Sequence, residues 1–166
     1  MSPPRSEVAQ TERVELGDFH LFVPSRWTRA DGATERSIGW VDTKGAHDLV
    51  TSAERIAKSQ GELGLCVRRY AVGRVAHAVK SADVKDPTMG TPWFEERGEH
   101  VIASCSASMG DGSIHVAIVG KPCTGEGEND YAMLSIVVVR GDVKDEAKEA
   151  EALLAEVLES VDVVPS

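Results

Sequence analysis

Aromatic residues are scarce in this chain of 166 residues: Phe, Trp and Tyr together make up 5%. An interior of stacked rings is thereby excluded, and Val, Leu, Ile and Ala have to fill the core. Basic residues are also in deficit, with 18 Lys and Arg against 27 Asp and Glu and a net charge of −9. A surface of that sign repels phosphate backbones and anionic lipid, so nucleic acid is not an expected partner. Cysteine is limited to Cys66, Cys105 and Cys123, an odd number without CxxC spacing. Such usage argues against a disulfide framework and fits a reducing compartment. Nowhere do apolar residues run for the roughly 18 positions that a membrane-spanning helix needs. The opening MSPPRSEVAQTER also lacks the apolar region of a secretory signal. These absences together place the expected location in the cytoplasm.

What is present suffices for one domain with a proper core. Residues 1–13, with two prolines, scattered charge and no periodicity, are expected to be a disordered lead, and 14–166 a single domain. Its opening is the stretch FHLFVPSRW. Phe19, Leu21 and Val23 fall on one side of an extended chain, His20 and Phe22 on the other, and Pro24 stops the run ahead of Trp27. A first strand is expected over 14–26, a second over 34–42 and a third over 48–56. In 61–82, Leu63, Val67, Tyr70, Ala71, Val75, Ala78 and Val79 recur at steps of three and four, which is helical spacing. Gly64 and Gly73 weaken that helix by about 1 kcal/mol each relative to Ala, and a strand over 63–72 is the alternative.

Beyond Asp86-Pro87 the pattern turns extended. Trp93 and Phe94 belong to a short strand that turns at Arg97-Gly98. Val101, Ala103, Cys105 and Ala107 alternate with Ser104, Ser106 and Ser108, giving one buried and one wet face. Asp111-Gly112 signals a hairpin, with Ile114, Val116 and Ile118 on one face of the returning strand. A surface loop is expected from Gly120 to Asp130. Then YAMLSIVVV, Tyr131–Val139, is apolar on both faces apart from Ser135 and reads as a central strand covered on both sides. The last element is an amphipathic helix, with Asp142 as N-cap and Val143, Ala147, Ala150, Leu154, Val157, Leu158 and Val161 in one stripe. The expected class is therefore α+β: a mostly antiparallel sheet of about six to seven strands, with helices covering both faces in an α/β/α layering.

This element order, with its VPSRW corner and a closing amphipathic helix after YAMLSIVVV, resembles the PsbP-like superfamily, which includes Mog-type and DcrB-like proteins and some mycobacterial lipoproteins. The resemblance covers about residues 14–163. It implies a binding or adaptor module rather than an enzyme, and in one DcrB-like branch a chaperone for secretion-system effectors, usually dimeric. No catalytic motif of the superfamily is present to carry over, and no lipobox cysteine stands near residue 1.

His100, Cys105 and His115 are the best trio for a metal, but His100 and Cys105 are five apart and face opposite sides of a regular strand, so no metal site is expected. Ser108 or Ser113 with His115 suggests a small hydrolase as an alternative, yet SASMG lacks the first glycine of a nucleophile elbow. The loop TGEGEND has no lysine and carries three acids, which disfavours a nucleotide cradle. Cys123 in that loop is expected to be exposed and oxidisable. Arg68, Arg69 and Arg74 are the only basic concentration. Of the three tryptophans, Trp93 beside Phe94 is the expected partner anchor, with Trp27 and Trp40 taken up in packing. The expectation is a non-catalytic protein-binding adaptor or chaperone-like module without cofactor, using Trp93, Phe94, Arg68 and Arg69. Its partner would be another protein, such as a secreted effector or toxin, or a second copy in a homodimer. An immunity-type inhibitor of a basic toxin is the alternative, since an acidic surface complements such a target.

Overall fold

The computed structural model describes residues 12–23, 27–34, 36–42, 47–81, 87–90, 92–109, 112–124, 128–140, 154, 157, 158 and 162–163. Two antiparallel sheets and one long helix account for nearly all of them. The strands are β1 (Glu12–Leu16), β2 (Phe19–Val23), β3 (Trp27–Arg29), β4 (Ser37–Asp42), β5 (His47–Ala57), β6 (Thr88–Met89), β7 (Trp93–Arg97), β8 (His100–Met109), β9 (Gly112–Pro122), β10 (Asp130–Arg140) and β11 (Asp162–Val163). Helix α1 spans Leu63–Ser81. The large sheet runs β3-β4-β5-β10-β9-β8-β6, and β7 also pairs with β8, which makes eight strands.

β10 is the central strand that its sequence predicts. It lies between β5 and β9, with Val137 opposite both Val50 and Val116. Ala132, Leu134, Ile136 and Val138 bury one face, and Met133 buries the other. The period of two then sorts the neighbouring strands. Ala103, Cys105, Ala107, Ile114, Val116 and Ile118 join Met133 beneath Val67, Ala71 and Val75 of α1. Helical spacing therefore prevails over 63–81, glycines included, because Val67, Ala71 and Val75 recur every four residues and reach the sheet together.

The opposite face departs from expectation. The first strand is not continuous over 14–26 but a hairpin, β1 paired with β2 from Glu12↔Val23 to Leu16↔Phe19. Gly17 makes the turn with a φ of +56°, and a Cβ there would stand 3.2 Å from the Cβ of Ala53. Only glycine adopts that backbone at so close an approach without strain. β11 adds to β2 and completes a separate three-stranded sheet, order β1-β2-β11. Val14, Leu16, Phe19, Leu21 and Val23 pack from this small sheet into the core with Trp40, Leu134 and Ile136. The second face is thus covered in part by a small sheet, where a helix alone was expected. Leu154, Val157 and Leu158 are helical and buried in the same core; the rest of the expected closing helix lies outside the described residues, as does the lead over 1–11.

The expected loop from Gly120 also begins later. β9 continues to Pro122, and the Cys123 amide donates to the Asp130 carbonyl at 3.0 Å. Cys123 is consequently buried, not exposed, and burial pushes its thiol pKa up. A protonated, enclosed thiol is a poor target for oxidation.

Candidate functional site

The candidate site lies where α1 passes over β7. Residues three, four and seven apart share a helix face, so Leu65, Arg68, Arg69 and Val72 form a ridge on α1 away from the core. Leu65 and Val72 are exposed. Among the described residues β7 pairs with β8 alone, with Phe94 opposite Ala103 and Trp93 opposite Ser104. Because Ala103 faces α1, so does Phe94. The Arg68 guanidinium stacks on its ring at 3.8 Å from the centroid, a contact in which the cation meets the electron-rich ring face. Beneath them opens a cavity of about 360 Å³, walled by Arg68, Ala71, Val72, Phe94, Ala103 and Cys105. Its walls are mostly hydrocarbon, and burial raises the Cys105 pKa, which keeps that thiol neutral.

The three arginines of α1 have different surroundings. Arg74 lies 3.7 Å from the Glu54 carboxylate. Arg69 donates to the Gln60 carbonyl at 3.4 Å. Arg68 has its ring contact and, among the described residues, no carboxylate partner. Of the four residues expected to bind a partner, the fold therefore unites Arg68 and Phe94. Trp93, 40% exposed, projects from the opposite face of β7, and Arg69 turns toward the start of the helix. Leu65 and Val72 are not distinguished by sequence pattern from core positions of the helix; their seven-residue spacing beside two arginines is the one signal they carry.

A second cavity of about 340 Å³ sits by the β1–β2 turn, between Gly17, Asp18, Arg36, Ala53, Glu54 and Arg55. Two of its four charged groups pair with each other: Arg55 donates to both oxygens of Asp18, from Nε at 3.1 Å and Nη2 at 2.8 Å. The hydrogen bond from Arg55 holds the Asp18 carboxyl below its ordinary pKa. A lowered carboxyl pKa adds stability above the unfolded-state value, and that stability is lost as pH falls through the folded-state value. Asp18→Asn should cost about 0.2–1 kcal/mol at neutral pH, the range measured for surface pairs. Urea titrations at descending pH should show the gap between the two proteins closing in acid. A gap independent of pH would refute the assignment.

The other candidates fall apart in space. Cys105 pairs with Val116 on the α1 side, whereas His115 pairs with Ser106 on the other side. Among the described residues, no three His, Cys, Asp or Glu side chains gather as metal ligands do. His115 Nε2 and Ser113 Oγ do meet, at 3.1 Å, but both residues are buried and neither lines either cavity. A nucleophile sealed in this way cannot receive a substrate. No helix among the described residues is long and apolar enough to cross a membrane.

Neither a family model nor a curated protein sequence matches the chain. Solved structures do resemble it. The solution structure of cyanobacterial PsbP from Synechocystis sp. PCC 6803 superposes with a TM-score of 0.61 at 13% identity, covering 93% of each chain. The Ran-binding protein Mog1p of Saccharomyces cerevisiae gives 0.57 at 10% identity, over 93% of this chain and 95% of its own. LpqN of Mycobacterium tuberculosis, a protein involved in cell envelope biogenesis, gives 0.57 at 15%, over 94% and 91%. The fold is PsbP-like, as the resemblance implied; at these identities the likeness is one of fold.

Proposed function

We propose that this chain is a non-catalytic protein-binding module whose partner docks on the groove between α1 and β7. The observation that carries this is the Arg68–Phe94 stack at the mouth of an apolar cavity, flanked by exposed Leu65 and Val72. Interface hot spots are enriched in arginine and lie in well-packed pockets, ringed by contacts whose part is to exclude water. A fold neighbour that binds Ran gives the same direction. On this proposal the chain acts as an adaptor or chaperone for another polypeptide, with a secretion-system effector as the partner class. The cation at the groove's centre disfavours the alternative of a basic toxin docking there, since like charges at an interface cost affinity.

Site-specific photocrosslinking tests the proposal. A benzophenone at Val72 or Leu65 should capture one discrete partner in cells, and Asp31 at an exposed turn should not. Arg68→Glu should reduce the Val72 adduct about tenfold, the loss expected for one charge-assisted contact. Equal capture from Val72 and Asp31, or none from either groove position, would overturn it.

A further inference from the structure

β7 is an edge. It takes its hydrogen bonds from β8 on one side, and among the described residues no strand pairs with its other side. Alternate backbone N–H and C=O groups of an antiparallel edge strand point outward, a template for another chain. Natural edges are blunted with charge, and β7 is blunted unevenly. Glu95 and Arg97 form an ion pair with each other at its C-terminal half, and Glu96 is exposed beside them. The N-terminal half, Trp93 and Phe94, has no such protection. Phe94 borders the 360 Å³ cavity on one face of that strand, and Trp93 is exposed on the other. Arg68, a cation without a carboxylate among the described residues, overhangs the first face in a chain whose net charge is −9.

We infer that β7 receives an extended segment of the partner as an added strand, with an apolar side chain entering the cavity beside Phe94 and a neighbouring carboxylate pairing with Arg68. The inference rests on the proposed docking groove and specifies its occupant. β7 has five residues, so the added strand spans about 17 Å at 3.4 Å per residue. Its backbone supplies affinity and its alternating side chains supply selectivity, which is the logic of strand addition. The period of two puts the cavity-filling residue and the Arg68-pairing acid on one face, with an apolar residue on the other to meet Trp93. A second copy of β7 suits the edge poorly. Antiparallel pairing about Glu95 would place the two Glu95 side chains opposite each other, a like-charge pair.

The test is selection of a random dodecapeptide library displayed on phage against the full chain, followed by fluorescence anisotropy with the selected peptides. Enriched peptides should alternate apolar and polar residues and carry Asp or Glu two positions from a large apolar residue. Arg68→Glu should weaken them about tenfold, and replacing the peptide's acid by Lys should restore binding to Arg68→Glu alone. N-methylation at alternate peptide positions should abolish binding, while methylation at the intervening positions is tolerated. No enrichment, a consensus with helical three-and-four spacing, or indifference to the methylation pattern would each overturn strand addition. Position-specific crosslinking at Val72 would stand through any of those failures, which separates this inference from the groove it rests on.

Discussion

Trp40→Ala should lower the free energy of unfolding by about 3–5 kcal/mol, the range for removing a buried aromatic. Trp40 is 2% exposed on β4 and packs with the small-sheet residues Phe19, Leu21 and Val23 in one core. Its indole also has a polar role. Nε1 donates to Thr51 Oγ1 at 3.3 Å, and that hydroxyl donates onward to the Ile38 carbonyl at 3.1 Å. Arg29 covers the ring at 5.3 Å from its centroid. Alanine empties the space of a bicyclic ring and strips a buried hydroxyl of its donor, so both the cavity and the unsatisfied group count against the fold. Domains of this size are stable by about 5–15 kcal/mol, so the variant should sit near the edge of folding. Trp40→Phe should lose less, because it keeps the apolar contact and gives up only the hydrogen bond. Chemical denaturation of the three proteins gives the comparison. A cost for Trp40→Ala below about 1 kcal/mol would mean that the small sheet does not pack as described. Groove affinity per folded molecule should be unchanged, since Trp40 lies on the far side of the sheet from α1.

Much of that architecture is written in local pattern. Tyr131–Val139 is apolar on both faces and proves central; Val101–Ala107 alternates, and its odd positions face the helix. α1 is readable at steps of three and four because one partner, the sheet, selects one face. The small sheet's share in covering the second face was not readable. Phe19–Val23 alternates as any half-buried strand does, and nothing local says whether it pairs within the main sheet or in a layer above it. Gly17-Asp18 held the answer, since a glycine there permits the tight turn that separates β1 from β2. Sequence likewise singled out Arg68 and Phe94 for unrelated reasons, one as a cation and the other as an aromatic. Their stacking depends on β7 pairing with β8 in one register and on α1 crossing above, both of which are relations between distant segments.

Gly120→Val should disturb that crossing more than any surface change. Gly120 lies on β9, opposite Val101 and Met133, beneath Leu63 and Val67 of α1. A Cβ at this position would come within 2.6 Å of Val67 Cγ2, 3.0 Å of Leu63 Cδ1 and 3.1 Å of Met133 Sδ. Val67 is fully buried and β-branched, and a helix strongly favours a single rotamer for such a side chain, so a retreat costs energy. Overpacking of this kind costs about 1–3 kcal/mol for one added methyl group and more for a branched side chain. The helix has to lift, and because Arg68 follows Val67 directly, its stack on Phe94 should break as the cavity widens. Gly120→Val should therefore lose stability and groove binding together, in contrast to Trp40→Ala. Removing the obstruction decides the cause. If the clash is with Val67, Gly120→Ala combined with Val67→Ala should be destabilised by less than the sum of the two single changes, since the new methyl fills part of the space that the valine leaves. Strict additivity of the two would place the strain elsewhere and detach the groove's geometry from the glycine beneath it.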